Sequence, residues 1–509
     1  MIWRGYHETT KHSAESLRRS QHFLDWANMP NPYRHYEGVP LLDLPADPPA
    51  PEIPALEVLS GRSGAALAGE GVRDGAAWLS QLLFHSAAIS AVKRVSSTGG
   101  TYALRVNPSS GNLHPTEFHF LTRGLAGWPD GLYHYRPSSH MAEQRARGDL
   151  AAKLDRACLQ GASRAITSAS LVFVLSSIAW REAWKYRDRA YRYCLHDIGH
   201  AWQALALAAR ATGCESFAAG HFPDDCVTES CLLQEDEWPM LIIGLHGPSI
   251  PVRAPDAGET VAFGGQANRL SDEVVPYPRV ESIHAATKHG GEAAAIGPSE
   301  PGSSGCGGIR LPAPAPSVRT FGEVARTRRS ALNFRAGKES MSLAQLAALL
   351  AAAAQPFGAD FSESAKGRFV QLYLYAHRVE GLAPGVYRHW PERAELETIK
   401  LGDQRLVAGA LSLGQDLAGN ACVAFSMVAD IDRAARSHGD RGYRYVHFEA
   451  GAMGHRLYLA AEALGLRGTG IGAFFDDEVH RYLGLAPEQG QVVYHFAVGH
   501  PVPDPRLEA

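Results

Sequence analysis

Pro108, Ser109, Ser110, Gly111 and Asn112 place hydroxyl and amide groups on a segment built to turn. Proline fixes φ, glycine permits positive φ, and serine and asparagine bond to nearby backbone. Such a run is either a plain surface turn or a loop that offers donors to a planar polar ligand. A second segment sets Arg326, Arg328 and Arg329 beside Ser330. Arginine forks hold phosphate through charge-assisted hydrogen bonds, although the same composition also describes a solvated basic turn. A third segment, Gly468, Gly470, Ile471 and Gly472 ahead of Asp476 and Asp477, has the glycine content of a nucleotide fingerprint. It follows a helix and lacks the G-x-G-x-x-G spacing, which argues against a dinucleotide fold. Glycines here let backbone come close to a flat ligand. The 23 histidines include no H-E-x-x-H, and no paired C-x-x-C occurs, so no metal is expected. Asp197 and His200 stand one helical turn apart, a spacing that ordinary hydrogen bonding explains.

The elements that carry these segments occur twice. Residues 189–199 align without a gap on residues 441–451, a constant offset of 252, and the match continues through Gly213 on Gly465, Gly220 on Gly472 and Phe222 on Phe474. The period is too long for a solenoid, so it marks a duplicated domain. Apolar spacing predicts helices over residues 195–211 and 447–463, each closed by a C-cap glycine. A further helix over 342–353 has Ser342 as N-cap. Strands are expected at 118–121, 171–175, 370–375, 423–428 and 492–498. The class is α+β, with helices packed on mostly antiparallel sheets. We expect an N-terminal arm (1–52), a first domain (53–283), a Gly/Pro/Ser/Ala-rich linker (284–316) and a second domain (317–509).

Bulk properties narrow the function. The chain has 509 residues, enough for two domains, and a formal net charge of -4 from 49 basic and 53 acidic side chains. That balance does not suit a nucleic-acid binder. Seven irregularly spaced cysteines argue for thiols rather than a disulfide framework. The N-terminus has charges and no apolar core of a secretory signal. The most apolar stretch, 170–180, is about half of what a membrane span needs. A cytoplasmic location without membrane partners is expected.

Taken together, the segments resemble the nitroreductase superfamily and, within it, the SagB-type dehydrogenase branch that includes azoline oxidases. In the first half the likeness rests on residues 108–117, 131–135 and 185–193. In the second half it rests on 328–330, 385–387, 441–445, 470–472 and 498–501. The resemblance implies FMN held between two subunits, one giving the Arg-Arg-Ser segment, the glycine loop and a C-terminal basic residue, the other the Pro-Ser loop. Here those parts are split between the halves. The first keeps the Pro-Ser loop but has only Gly61, Arg62 and Ser63 for the arginine segment. The second keeps Arg328, Arg329 and Ser330 but lacks a Pro-Ser loop between Gln355 and Phe369. The expectation is a monomeric pseudo-dimer with one whole FMN site and one degenerate mate. Arg328, Arg329 and Arg506 would lie at the phosphate and ribityl chain, with Arg335 replacing an arginine lost at Leu332. Ser330, Pro108, Ser109, Ser110, Gly111, Asn112, Gly470, Ile471 and Gly472 would complete the cradle. The azoline-oxidase branch also implies a catalytic Lys-Tyr pair, matched by Lys185 and Tyr186. Arg181, Arg187 and Arg189 would help lower the basicity of that lysine. Tyr191, Arg192 and Tyr193, repeated as Tyr443, Arg444 and Tyr445, are expected at the domain interface.

Three functions fit. The first is oxidation of a small-molecule or peptide-derived substrate, with hydride passing to FMN and electrons to oxygen or another acceptor. The second is an NAD(P)H-dependent nitro- or quinone-reductase. The third is a non-catalytic flavin-binding partner in a biosynthetic complex.

Overall fold

The computed structural model describes residues 1–20, 23–64, 74–94, 100–159, 169–256, 258–288, 307–362 and 368–507. In the first half, β1 (Thr116–Thr122), β2 (Gly131–Arg136), β3 (Met141–Arg147), β4 (Leu171–Ser177), β5 (Glu215–Ala219) and β6 (Trp238–His246) form an antiparallel sheet in the order β3-β2-β1-β4-β6-β5. In the second half, β7 (Val370–Ala376), β8 (Gly385–Trp390), β9 (Glu395–Leu401), β10 (Val423–Ala429), β11 (Arg467–Ile471) and β12 (Gln491–Gly499) take the order β9-β8-β7-β10-β12-β11. The two orders are the same strand for strand, so the sequence repeat is also a repeat of topology. β4 and β10 are central and buried on both faces, which explains their continuous apolar sequences.

Two helices of 22 residues, α1 (Ala190–Ala211) and α2 (Gly442–Ala463), join the halves. Every residue of α2 is buried, as is every residue of α1 except Arg210. They cross at a pair of glycines. A Cβ on Gly199 would lie 2.2 Å from the Phe448 carbonyl oxygen, and one on Gly451 would lie 2.1 Å from that of His196. Backbone therefore meets backbone, which only glycine allows at this separation.

The arginines at the start of each helix are neutralised across the join. Asp476 of the second half receives Arg189 (3.1 Å) and Arg192 (2.9 Å), and Asp224 of the first receives Arg441 (2.5 Å) and Arg444 (2.7 Å). Tyr191 bonds Thr287 at 2.7 Å and accepts from Arg444 at 3.1 Å, so the repeated Tyr-Arg-Tyr segments lie in the interface. The N-terminal arm touches both halves. Trp3 stacks on Tyr443, and the backbone of His12 donates to Asp476, while Arg34 and Tyr36 bind the buried Glu237.

Some expectations need correction. Cys158 and Cys226 form a disulfide, with Cα atoms 5.8 Å apart across a separation of 68 residues, whereas all cysteines were expected as thiols. Folding, not spacing, brings that pair together. The expected linker is structured at both ends. His284 and Thr287 belong to the helix Pro278–Thr287, and Ile309–Arg310 pairs with the edge of β9. Its residues 289–306 lie outside the described residues. Ser342 does cap a helix, Leu343–Ala353, in a reciprocal capping box with Gln345. Among the described residues, no helix is long and apolar enough to cross a membrane.

Burial alone would raise the Asp224 carboxyl, but Arg444 and Arg441 together outweigh it and hold it at about 2, below its ordinary 3.8. The stability it contributes is therefore complete above about pH 3.8 and fades as pH falls through about 2. Asp224→Asn leaves two buried guanidiniums without a counter-charge, and the expected loss is about 3–5 kcal/mol in urea denaturation at neutral pH. That difference should shrink in acid. A variant as stable as the parent would refute the role of this clasp.

Candidate functional site

The Pro-Ser loop follows the hairpin formed by Ile89–Arg94 and Thr101–Arg105. Gly111, Asn112 and His114 all have left-handed backbone, with φ of 60°, 60° and 51°. Side chains hold this geometry. Asn112 donates Nδ2–H to Ala103 O (3.0 Å) and its Oδ1 meets His114 Nε2 (3.1 Å), while Ser109 Oγ accepts from the His114 amide (2.8 Å). Asn112 is thus committed within its own half, building the loop. Ser110 donates its amide (3.1 Å) and hydroxyl (3.0 Å) to Asp197 on α1. The loop is therefore pinned to the helix that joins the halves.

Lys185 and Tyr186 lie directly against this loop. A Cβ on Gly111 would sit 2.8 Å from Tyr186 Oη and 3.1 Å from Lys185 Nζ. Two of the arginines expected to crowd Lys185 are engaged elsewhere. Arg181 donates to Glu117 and to His114 O, and Arg189 pairs with Asp476. The left-handed backbone at Arg187 ends the helix Ala179–Tyr186 and redirects the chain, so Arg189 is not one turn along from Lys185. On the same helix as Lys185 lies Glu182, a fully buried carboxyl on which the nearby lysine acts against burial. Burial, reinforced by Asp197, pushes Glu182 well above the usual carboxylate range.

The second half reaches the same place from the other side. Arg328 is buried and donates Nε–H to Val106 O (3.0 Å) and Nη2–H to Arg105 O (3.1 Å), on the chain that leads into Pro108. Its Nη1 has no hydrogen-bond partner among the described residues. Arg329 donates Nη2–H to Ser90 O (2.7 Å) on the hairpin. Ser330 Oγ lies 2.8 Å from Tyr458 Oη, which accepts the Gly470 amide at 2.8 Å. Gly472 O accepts from Tyr193 Oη (3.0 Å), and the Tyr193 ring lies 4.3 Å from that of Tyr186. The contacts form a closed circuit: Arg328 and Ser330, Tyr458, Gly470, Gly472, Tyr193, Tyr186, Gly111, and back through Val106.

Three expected residues take other positions. Arg335 is half exposed and faces Glu339 at 3.8 Å, because its backbone is held by His500 on the outer edge. Ile471 points into the core of the second half with Phe474, since alternate strand residues face opposite sides. Arg506 is bound in a bidentate pair with Asp504 (2.8 and 2.9 Å), which also takes Lys93 (2.7 Å). Its segment crosses back to the hairpin, where Arg506 O accepts from the Arg94 amide. Gly470 and Gly472 are required by tyrosines. A Cβ at those positions would lie 1.9 Å from Tyr494 Oη and 2.0 Å from the Tyr193 ring. Asp197 makes the ordinary hydrogen bonds expected of it, whereas Glu182 and Tyr458 were missed by sequence reading, because a buried polar residue on an apolar helix carries no local signal of its partner.

The mate position is closed by the chain itself. Residues 358–360 dock on β5, with Ala218 N donating to Gly358 O and Asp360 N to Ala218 O. Asp360 also accepts the Gly220 (2.8 Å) and His221 (3.1 Å) amides. Phe361 stacks on Tyr445 at 4.3 Å and lies against Gly220, the counterpart of Gly472. Arg456 uses Nε, Nη1 and Nη2 on Gln203, Gln355 O and Pro356 O.

Burial raises Asp197 from 3.8 to about 7, although Ser109 and Ser110 hydrogen bonds oppose the rise. Its neutral form therefore stabilises the fold below the ordinary value, and that contribution is lost as pH rises through about 7. Asp197→Asn should remove this dependence, so melting temperatures of parent and variant should diverge between about pH 5 and pH 8 in favour of the variant. Parallel curves would show that the carboxyl does not titrate there.

The nitroreductase family model matches residues 85–247 and 325–500. A protein named as a nitroreductase from Methanocaldococcus jannaschii is 34% identical over 119 residues, 23% of this chain and 59% of that protein. The microcin B17-processing protein McbC of Escherichia coli is 28% identical over 147 residues, 28% of this chain and 54% of McbC. The chain thus matches little more than half the length of either. A solved structure from Anabaena variabilis, titled as a nitroreductase, aligns over 98% of this chain and 99% of its own, with a TM-score of 0.78 and 26% identity. The repeated topology and a double match covering most of the chain lead to one conclusion: this protein belongs to the nitroreductase family.

Proposed function

We propose that the chain binds one FMN in the seam between its repeats and acts as a SagB-type dehydrogenase on a small organic or peptide-derived substrate. The observation that carries the reading is Arg328. Its guanidinium is buried, hydrogen-bonded only to two carbonyls of the other half among the described residues, and left with an unpartnered Nη1. A buried charge in that state is costly until an anion reaches it. A cofactor phosphate is such an anion, and the Gly470–Gly472 strand lies close by, with Tyr494 and Tyr193 packed against its two glycines. The residues present fit the group. Likeness to a microcin-processing protein supports a peptide-derived substrate.

Arg328 and Arg329 would hold the phosphate end, with Ser330 and the Ser109–Ser110 loop fixing the remainder. A bound flavin would supply the hydride acceptor. The protein would supply orientation and proton handling. Lys185 Nζ would take the proton from substrate, with Tyr186 Oη, also against Gly111 and kept protonated by burial, donating a hydrogen bond beside it. The closed mate position predicts a single site per chain.

Flavin absorbance against protein concentration should give one FMN per chain, and two would reject the reading. Arg328→Ala should weaken FMN binding about 10- to 100-fold by titration, the range for a charged hydrogen-bond donor. Lys185→Ala should lower turnover about 10²- to 10⁴-fold while FMN still binds. Rapid bleaching of bound flavin by NADPH would instead favour a nitro- or quinone-reductase, with the same cradle serving a different electron donor.

A further inference from the structure

The joining helices carry histidines where a packed core has no use for them. His447 and His196 are buried with ring centres 5.1 Å apart, and His200 lies one turn beyond His196. His200 Nε2 bonds Tyr494 Oη at 3.1 Å, and Tyr494 Oη is the atom that crowds Gly470 in the seam. At the other end, the Tyr443 ring lies 4.4 Å from that of His447, and Tyr443 Oη is 3.2 Å from Nδ1 of His7, on the arm helix Ile2–Thr9. These six rings make one file from the arm to the glycine strand. Several of its nitrogens have no hydrogen-bond partner among the described residues: Nε2 of His7, Nε2 of His447, both nitrogens of His196 and Nδ1 of His200.

The repeat supplies an internal control. At the pseudo-equivalent positions the chain has Leu195 for His447, Phe448 for His196 and Ala452 for His200. Strand register makes Leu241 the pseudo-equivalent of Tyr494. The fold therefore packs with apolar residues at these places. The polar set occurs on the side of Arg328 and the Pro-Ser loop, and its counterparts lie on the side that Asp360 and Phe361 fill.

We propose that this file is a proton route between the flavin seam and the arm. The inference rests on the FMN reading above. Removing two hydrogens from a substrate as a hydride and a proton leaves one proton to be carried off, while the electron pair goes with the hydride. Passing that pair to an acceptor such as oxygen takes one proton back. A neutral imidazole serves both directions, accepting a proton on one nitrogen while releasing the proton held on the other. Burial, helped by Arg192 and Lys11 at His7 and by Arg328 at His200, keeps these rings neutral and so able to relay. Single waters between neighbouring rings would complete the transfer.

The test uses substitutions that the other repeat already tolerates, His196→Phe and His447→Leu. In full-length protein labelled with 15N-histidine and free of flavin, exchange of ring protons with water should be seen at His7, His447, His196 and His200. Rings that stay dry would overturn the proposal whether or not FMN binds. In FMN-loaded protein reduced with dithionite and mixed with oxygenated buffer, each variant should reoxidise at least about tenfold more slowly and show a larger solvent deuterium isotope effect. Its FMN affinity should be unchanged. Parental rates and isotope effects in both variants would also overturn it. Failure to bind FMN would sink the flavin reading alone, and ring exchange would then decide this one.

Discussion

Everything in this molecule depends on how closely α1 and α2 approach. At Gly199 and Gly451 each helix presses its backbone against a carbonyl of the other, leaving no room for a methyl group on either side. Interiors are packed at crystal-like density, so a contact this close sets the distance and angle of everything attached to the two helices. Asp197 hangs the Pro-Ser loop from α1, and Tyr458 hangs Ser330 and Gly470 from α2. Two half-sites that are far apart in sequence are thereby held in fixed register. The aspartates that neutralise the helix-start arginines come from the opposite half, so separating the halves exposes no satisfied surface on either side.

A symmetric frame with asymmetric furnishing follows from duplication within one chain. Once both halves are covalently joined, each position is free to diverge from its mate. Two buried arginines, which are not counterparts of each other, illustrate the difference between the two sides. Arg456 has all its nitrogens bound to groups of the protein, and the crevice beside it is filled by Asp360 and Phe361. Arg328 keeps one nitrogen unpartnered and has the glycine strand next to it. On one side Asp360 and Phe361 take the space against Gly220 and Tyr445. The other retains an electrostatic demand that a phosphate would meet. The histidine file adds to the same contrast, because apolar residues fill the equivalent places in the other repeat.

Much of the frame was legible before any coordinates. The gapless offset of 252 announced two copies of one topology, and the long helices and central strands showed clear periodic or continuous apolar patterns. The Pro-Ser loop, Arg328 and Ser330 stood out by type and spacing, Lys185 and Tyr186 only through the family resemblance, and they do converge. Beyond the cysteine pairing and the linker ends, the details that failed are matters of direction. Asn112 turns into its own loop, Arg335 is drawn to Glu339, and Ile471 faces the core. Asp197 and Glu182 gave no sign of their position, since nothing in a helical sequence shows what its polar residue will meet after packing.

The sequence alone determined that the chain is a duplicated α+β protein and that its chemical groups were divided between the copies. Those properties are written in local pattern and in self-similarity, which survive without knowledge of the partner surface. Tertiary structure decided which side chains of the two copies meet, where Asp360 and Phe361 dock, and which buried rings stand in line. Those outcomes depend on distances between segments hundreds of residues apart, and the crossing of two glycines sets them.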